Sequence, residues 1–588
     1  MTVADRIKKL RRRVRPSVHI IAECEKAISS DLATSRIRAR GAADISNRRR
    51  VGMCALLFAA AFSVLGFRLT AIVLGEYEPR KFAAVSKSGA ERQEIFDRNG
   101  ALLATNLPMR KLEISGKQVW DAVETVATLG SIFPSIDQID LKQKLEQRRY
   151  VSLRVDVTPA KEQAVFALGL PGVHFKSASK RYYPQTRTAS HLVGHLEDGK
   201  KGVMGLERVL EKKRTDRAGA LTTTIDVRVQ QIVESELAAG VQKYKAKAGW
   251  VGVLDVETGE IVSLASFPDF DPNDPAASTQ DARRNRAIYD RYEFGSAFKI
   301  FTAAMALDLD KAEEMSVYDA RFGSYKVAGE TIRDYHGENR LLTLSEVVQH
   351  SSNIGAARIA GDVGIREQKR HLEKLGFFDP LPLSFIERRS PELPGQWGPV
   401  EAATISYGHG ISVTPLHLLS AFAAIINGGT YHTPVFSAYD DALNRTVISE
   451  NSSAVMRRIL RRVITNGTAS AAEVPGYFPI GKTATADKPA KGGYNRSTRL
   501  SSFIGAFPGH APRYAVLVSL DEPQPAEGTF GFATAGWNAA PIFSSITSQI
   551  APVLGVLPSA ESEAVRTFVA AVDAPLRVET KSAARGAK

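Results

Sequence analysis

One apolar segment near the N-terminus constrains the whole chain, because it predicts a single crossing of a membrane. Residues 51–67, VGMCALLFAAAFSVLGF, are seventeen residues without a charge, and three arginines precede them. Seventeen apolar residues are the short end of what spans a bilayer. The apolar run resumes after Arg68, and an arginine near a helix end can snorkel to the headgroups. The sequence therefore predicts one transmembrane helix over residues 51–75.

The basic arm formed by residues 1–50 predicts the orientation of that helix. It holds 14 Lys and Arg against 5 Asp and Glu, which is +9 of the chain's net charge of +14. Positively charged flanks stay in the cytoplasm, so we expect a cytoplasmic N-terminus and everything after the span outside. A nucleic-acid-binding arm is the alternative, but topology alone accounts for the charge. Cys24 and Cys54 fall in the arm and the span, which leaves the exported part without disulfide or thiol chemistry.

Turn residues and composition divide the exported part into three. Residues 76–230 have the pattern of a mixed α/β domain, and Asn99-Gly100 predicts a hairpin turn between two short apolar runs. Residues 235–555 combine strands with long helical patterns. Residues 556–588 end in ETKSAARGAK, and their small and polar composition predicts a flexible tail.

The predicted strands of residues 235–555 cluster at the two ends of that segment. Residues 249–268 give two apolar runs around a Glu-Thr-Gly turn, and residues 500–509 and 513–523 give a second pair. Helical patterns dominate between them. This order predicts an α+β fold, in which one antiparallel sheet is assembled from both ends of the segment and covered by helices.

A serine and a lysine at the start of an apolar helix are the first candidates for chemistry. In residues 296–309, SAFKIFTAAMALDL, nearly every position is apolar, which predicts a buried helix that begins near Ser296. Lys299 lies three residues later on the same face. Desolvation lowers the pKa of a lysine, so its amine can be neutral and accept a proton. Lys299 can therefore activate Ser296 as a nucleophile without any histidine.

Two further motifs follow in order. Ser351 and Asn353 form Ser-x-Asn at the start of a predicted helix, and residues 482–485, KTAT, lie on a predicted edge strand. Each motif also occurs by chance elsewhere: Ser177 with Lys180, Ser449 with Asn451, and KSG at residues 87–89. Only Ser296, Ser351 and Lys482 satisfy the order of helix start, helix-flanking loop and strand.

These motifs resemble the Ser-x-x-Lys, Ser-x-Asn and Lys-Thr-Gly trio of penicillin-binding proteins and class A β-lactamases. The segments NRAIYDRYEFGSAFK, SSNIGAARIA, SYGHGISVTPLHLL and GWNAAPIF resemble class B penicillin-binding proteins, most closely the septal transpeptidases of the FtsI family. DRNG at residues 97–100 and GVMGLE at 202–207 resemble pedestal motifs of that family. The resemblance covers residues 51 to about 552. It implies a transmembrane helix, a pedestal domain and a transpeptidase domain.

The resemblance implies a catalytic role for five residues. Ser296 would attack a D-Ala-D-Ala stem peptide, and Lys299 would take the serine proton. Ser351, Asn353 and Lys482 would relay protons and hold the substrate, and an amine of a second stem would resolve the acyl-enzyme into a cross-link.

The next three residues of the strand would form the substrate site. Thr483 and Thr485 would bind the terminal carboxylate, and the backbone N–H groups of Ser296 and Thr485 would form the oxyanion hole. Ala484 stands where the family has glycine. Because glycine permits close backbone approach, the extra methyl group puts the fit of substrate in question. Phe294, where the family has proline, is expected to be tolerated.

The resemblance also implies partners and a location. The partners are peptidoglycan stem peptides, β-lactam antibiotics, the membrane, a septal glycan polymerase and other division proteins. No cofactor and no nucleic acid is implied. The location is the bacterial inner membrane, with the catalytic domain in the periplasm.

Three histidines need a separate interpretation. His191 and His195 have the spacing of metal ligands on a helix, but no third ligand is evident, so we interpret them as structural or surface residues. His409 in SYGHG is either close to the cleft or an ordinary loop residue.

Two other function classes use the same motifs. A β-lactamase or β-lactam sensor would share the fold but would not need a pedestal domain, and a non-catalytic division scaffold remains open because of Ala484. An elongation-type transpeptidase is a further alternative to the septal role.

Overall fold

The structure is a computed structural model that describes residues 92–574 apart from 154, 156, 214–218, 491–492 and 560–561, together with short helical stretches between 53 and 66. Its contacts divide the chain into two units, residues 1–88 and 89–588. Among the described residues, no helix is long and apolar enough to cross a membrane. The basic arm and most of the predicted span lie outside the described residues.

The second unit contains eighteen strands in its described part. They are Ile95–Phe96 (β1), Leu102–Ser115 (β2), Tyr150–Leu153 (β3), Val173–Tyr182 (β4), Leu196–Glu197 (β5), Lys201–Gly202 (β6), Leu221–Thr222 (β7), Ala248–Asp255 (β8), Ile261–Phe267 (β9), Val317–Asp319 (β10), Ser324–Val327 (β11), Glu330–Arg333 (β12), Leu341–Thr343 (β13), Thr430–His432 (β14), Asn444–Thr446 (β15), Ile480–Ala490 (β16), Gly493–Phe507 (β17) and Tyr514–Asp521 (β18).

The same part of the chain contains sixteen α-helices. They are Ala122–Ile132 (α1), Gln138–Glu146 (α2), Pro159–Ala167 (α3), Ser190–Val193 (α4), Gly205–Lys212 (α5), Val227–Lys243 (α6), Arg286–Tyr289 (α7), Phe298–Asp308 (α8), Leu344–Gln349 (α9), Asn353–Val363 (α10), Ile365–Lys374 (α11), Pro399–Ile405 (α12), Pro415–Ile426 (α13), Glu450–Thr465 (α14), Ala539–Val553 (α15) and Glu563–Asp573 (α16).

The main sheet has five antiparallel strands in the order β16-β17-β18-β8-β9. Its first two strands in sequence, β8 and β9, form the predicted hairpin. The last three strands join this hairpin through the pairing of β18 with β8, for example Tyr514 with Asp255. The prediction of one sheet built from both ends of the segment is confirmed, and β16 lies at its edge as expected.

Helices cover both faces of this sheet. Every residue of β8 and β18 is buried. A Cβ atom on Gly249 would meet Leu237 of α6, whereas one on Gly252 would meet Leu419 of α13. Since residues three apart in a strand point to opposite faces, α6 and α13 lie on opposite sides of the sheet. The central strands therefore form the buried core of the domain, with β16 at one edge of their sheet.

The pedestal is a separate sheet in the order β3-β2-β1-β7, with β4 also paired to β2. The turn at Asn99-Gly100 joins β1 to β2, and Ile95 pairs with Ala104, so the predicted hairpin is confirmed. One end of this domain has its own small core, which includes Leu112, Leu129 and Leu145. The mixed α/β character expected for the pedestal is observed.

The predicted flexible tail is wrong for residues 563–573. They form α16, whose buried Val565 and Val572 face the rest of the domain. Arg462 of α14 donates to the carbonyls of Ala571 and Val572, at 3.1 and 2.9 Å. The apolar residues recur at helical spacing after the N-cap Ser562. The small and polar composition of residues 556–588 led to the prediction of a flexible tail, although this segment contains a short amphipathic helix.

Candidate active site

Ser296 lies in a tight turn that leads into a fully buried helix. Residues Gly295–Ala297 form one turn of 3₁₀ helix directly before α8. The turn packs against strand β16, because a Cβ atom on Gly295 would lie 3.4 Å from the Thr485 carbonyl. On the other side, the Gly295 N–H donates to the Gly408 carbonyl at 3.3 Å. The predicted helix start at Ser296 is therefore observed, and the serine lies beside the edge strand.

Lys299 is buried and contacts Ser296 of its own motif and both Ser351 and Asn353 of the second motif. Its side chain is one turn along α8 from Ser296, and the residue is only 1% exposed. The Nζ atom lies 2.9 Å from Ser296 Oγ, 3.1 Å from Ser351 Oγ and 2.7 Å from Asn353 Oδ1. It also lies 2.9 Å from the Ser351 carbonyl. These four oxygens surround one amine, so Lys299 is the centre of the cluster.

The electrostatic surroundings of Lys299 favour a neutral amine. Burial is the largest effect and holds the pKa of Lys299 well below its usual value. The nearby ammonium of Lys482 lowers this pKa further, whereas the carboxylate of Asp334 acts in the opposite direction. An uncharged amine can accept a proton from Ser296, 2.9 Å away.

Ser351 completes a triangle with Ser296 and Lys299. Its hydroxyl donates to Ser296 Oγ at 2.9 Å. Its backbone has a φ of 62°, in the left-handed region that costs a serine free energy. Asn353, two residues later, is the first residue of α10. The structure therefore brings Ser296, Lys299, Ser351 and Asn353 together in one hydrogen-bonded cluster.

Lys482 lies on the edge strand and is completely buried. Its amine donates to the carbonyl of Thr483 at 3.1 Å. Burial lowers the pKa of Lys482 to about 7. Lys482 is close enough to lower the pKa of Lys299, so its charge reaches the cluster even though its hydrogen bonds are local.

The next three residues of β16 alternate between the two faces of the strand. Thr483 Oγ1 lies 2.6 Å from Thr468 Oγ1, and Thr485 Oγ1 accepts a hydrogen bond from the Ala535 N–H at 3.2 Å. Ala484 points the other way and is 3% exposed within the hydrophobic core. Its methyl group therefore lies away from the face on which the two threonines lie.

Replacement of Ala484 by glycine is expected to speed acylation by a penicillin about tenfold, or about 1.4 kcal/mol of activation free energy. The methyl group is buried behind β16, and the Thr485 N–H is one residue away. We expect its removal to relax the packing there and to improve the aim of this N–H at a developing oxyanion. The second-order acylation rate of the two proteins measures the effect, and equal rates would make Ala484 a neutral replacement.

A rim of polar and aromatic residues lies next to the serine. His409 follows Gly408, whose carbonyl accepts from Gly295, and its ring stacks on Tyr494 with centroids 5.1 Å apart. The Tyr494 hydroxyl donates to Glu293 at 2.9 Å. Burial lowers the pKa of His409. Of the two interpretations of His409, the structure therefore favours a position close to the cleft.

The chance copies of the motifs do not form sites. Ser177 and Lys180 lie on strand β4, not in the loop-like segment that their charged surroundings suggested. Residues three apart in a strand point to opposite faces, so the pair cannot interact as Ser296 and Lys299 do. Ser449 caps helix α14 through the Ser452 N–H. The KSG copy lies outside the described residues.

His191 and His195 have a structural role, and the surface interpretation is wrong. Both are buried, and their rings pack edge-on against Phe270. His191 Nε2 lies 2.7 Å from the Ala282 carbonyl. Burial lowers the pKa of both histidines to about 4. Within the described residues, no group of three or more His, Cys, Asp or Glu could hold a metal ion.

Family models match nearly all of the second unit. Residues 249–548 match the penicillin binding protein transpeptidase domain, and residues 87–237 match the penicillin-binding protein dimerisation domain. The chain belongs to the transpeptidase family of penicillin-binding proteins. Together the two matches are those of a class B penicillin-binding protein. The Ser296 cluster lies in the transpeptidase domain, and the dimerisation domain corresponds to the pedestal.

Individual proteins agree with this assignment. The chain is 38% identical over 514 residues to the "Probable peptidoglycan D,D-transpeptidase FtsI" of Caulobacter vibrioides, covering 84% of this chain and 87% of that one. The apo transpeptidase domain of penicillin-binding protein 3 from Burkholderia pseudomallei is 33% identical, with a TM-score of 0.51, and covers 57% of this chain and 97% of that one. A peptidoglycan synthetase from Bifidobacterium adolescentis shares the fold, with 22% identity, a TM-score of 0.63 and coverage of 81% and 98%.

Proposed function

We propose that this penicillin-binding protein is a serine D,D-transpeptidase that cross-links peptidoglycan stem peptides through an acyl-enzyme at Ser296. One observation carries the proposal. The Lys299 amine, whose pKa is lowered by burial, lies 2.9 Å from Ser296 Oγ and is held there by Ser351 and Asn353. Serine becomes nucleophilic when an adjacent base takes its proton.

The first half of the reaction forms an ester and releases D-alanine. Ser296 Oγ attacks the carbonyl between the two D-alanines of a donor stem, and its proton passes to Lys299. The negative oxygen of the tetrahedral intermediate points to the N–H groups of Ser296 and Thr485, which the packing of the serine turn on β16 brings near each other. The leaving amine takes a proton through Ser351, whose hydroxyl contacts both Ser296 and Lys299.

The second half of the reaction reverses the proton transfers. An amine of a neighbouring stem attacks the ester carbonyl and gives up a proton to the same cluster. The ester bond breaks, Ser296 is restored, and a new peptide bond joins the two stems. In the first half Thr483 and Thr485 hold the donor carboxylate through their hydroxyl groups, and the buried Lys482, whose Nζ lies 3.5 Å from Thr483 Oγ1, adds positive potential that favours an anion.

The role in cell division rests on the similarity to relatives. The Caulobacter protein is named FtsI, and the septal interpretation of the sequence points in the same direction. A septal glycan polymerase and other division proteins would then be its partners. The protein would be anchored in the inner membrane by residues 51–75, with the catalytic domain in the periplasm, because the basic arm favours a cytoplasmic N-terminus.

A cysteine-labelling experiment checks this topology. A membrane-impermeant thiol reagent added to intact cells should not label Cys24 in the arm. It should label a cysteine introduced at the exposed Glu563 of α16 (Glu563→Cys). Labelling of Cys24 from outside would contradict the proposed orientation.

The chemistry is tested with the purified full-length protein in detergent. A fluorescent penicillin should form a covalent adduct, and the adduct should persist for many minutes, as expected of a transpeptidase. No adduct would favour the scaffold, and an adduct hydrolysed within seconds would favour a β-lactamase. Formation of cross-linked product from pentapeptide stems completes the assignment.

A further inference from the structure

A carboxylate outside the three motifs lies directly behind the active-site cluster. Asp334 follows the short strand β12. Its Oδ2 accepts the Ser352 hydroxyl at 2.8 Å, and its Oδ1 accepts the backbone N–H groups of Asn353 and, at 3.0 Å, Ile354. The first N–H groups of a helix have no partner within the helix and attract an anion. Asp334 thus accepts hydrogen bonds from the otherwise unpaired N–H groups at the N-terminus of α10, next to the Ser-x-Asn motif.

The residue before Asp334 orients the Asn353 side chain. The Arg333 carbonyl accepts the Asn353 Nδ2–H at 3.0 Å. A carbonyl can only accept, so the amide nitrogen must face it and Oδ1 must face the other way. That oxygen lies 2.7 Å from Lys299 Nζ. The dipeptide Arg333-Asp334 therefore fixes both the backbone and the side chain of Asn353.

The same contacts hold Ser351 in an unfavourable backbone conformation. Ser351 has a positive φ, which persists only where the surroundings over-determine the backbone. The three residues after Ser351 all donate to Asp334. The strained turn presents the Ser351 hydroxyl and carbonyl to Lys299 at 3.1 and 2.9 Å.

We propose that Asp334 is a positioning residue for the acylation reaction, which holds Ser351 and Asn353 against the Lys299 amine. The inference rests on the proposed function, since it concerns the same cluster. Asp334 acts in two ways that can be separated. Its hydrogen bonds fix the geometry of the turn, and its charge favours the protonated form of Lys299.

The charged and titratable groups around Lys299 decide the pH dependence. Lys482 on β16 lowers the pKa of Lys299 and Asp334 raises it, while the charge of Lys299 in turn lowers the pKa of His409 on the loop after α12. Acylation needs the neutral amine, so its rate rises with pH through the pKa of Lys299. Loss of the Asp334 charge lowers that pKa and moves the rising limb to lower pH.

Two variants of the full-length protein separate the geometric role from the charge. Asp334→Ala removes all three hydrogen bonds and is expected to slow penicillin acylation about 100-fold, since charge-assisted bonds are strong. Asp334→Asn can still accept the two backbone N–H groups. It is expected to slow acylation only slightly and to move the rising limb of the pH–rate profile to lower pH.

Asp362→Asn is the matched control, because it makes the same chemical change at the exposed far end of α10. This control variant should change neither the acylation rate nor the position of the rising limb of the pH–rate profile. A folded Asp334→Ala protein that is acylated at the parental rate would overturn the inference, provided that the parent is acylated normally. If Asp334→Ala does not fold, an unshifted limb in Asp334→Asn would overturn it. A parent that is not acylated at all would instead overturn the proposed function, and this inference with it.

Discussion

Replacement of Ser296 by alanine is expected to abolish covalent labelling by a fluorescent penicillin. The variant loses the Oγ atom that forms the ester in the proposed reaction, while Lys299, Ser351 and Asn353 keep their contacts with one another. The change removes one half-buried hydroxyl, so the fold should be retained and the melting temperature should stay close to that of the parent. Labelling of membranes followed by gel fluorescence, with mass spectrometry of the adduct peptide, measures the effect.

Ser177→Ala is the control for this variant. It alters the other serine that precedes a lysine by three residues, and β4 holds that pair on opposite faces of a strand. Full labelling is expected. An adduct found on any residue other than Ser296 would contradict the assignment of the nucleophile.

Replacement of Lys299 by methionine is expected to slow acylation by about 10⁴-fold, the upper range for the loss of a general base. Methionine fills nearly the same volume in the buried site, so packing around α8 is kept, but the basic amine that lies 2.9 Å from Ser296 Oγ is lost. The exposed Lys311, just after α8, offers the control Lys311→Met, which should acylate at the parental rate. Stopped-flow acylation of the three proteins checks the prediction, and a Lys299→Met loss below tenfold would assign the base elsewhere.

The same variant has an expected effect on stability. Because folding lowers the pKa of Lys299, the unfolded chain binds more protons than the folded one at pH values between the folded pKa and the unfolded pKa of roughly 10.4. This lysine therefore destabilises the fold at neutral pH, and the penalty fades as the pH rises towards that value. Lys299→Met should be more stable than the parent at pH 7, with a difference that shrinks towards pH 10. Denaturation curves at both pH values measure it.

Local patterns predicted much of this molecule. Alternating apolar runs around Asn99-Gly100 and Glu257-Thr258-Gly259 identified two hairpins that the structure contains. The apolar run after Ser296 identified a buried helix. These features depend on neighbours in sequence, so periodicity and spacing were sufficient for them. The choice of Ser351, Asn353 and Lys482 rested instead on the resemblance to penicillin-binding proteins, because these residues are distant from Ser296 in sequence.

Features set by distant contacts were not predictable in this way. Asp334 is separated from Ser351 by β13 and α9, and nothing in its immediate sequence indicates that it caps α10. The charged residues around Ser177 suggested a loop, but pairing with β2 makes a strand of them. Helix α16 did carry a pattern, an N-cap serine followed by apolar residues at helical spacing, which tail-like composition concealed.

The pairing of β8 with β18 has a consequence for the time at which the protein becomes active. Asp255 and Tyr514 are partners that are separated by most of the transpeptidase domain, so the sheet has very non-local contacts and should close slowly. In the proposed topology the domain passes through an export channel, and until β18 emerges from that channel the edge of β8 has unpaired backbone groups that can capture other strands. The strand with Lys482 also has no link to the sheet before then. A nascent chain should therefore bind penicillin only after export is almost complete, which pulse labelling of translocation intermediates of defined length would detect.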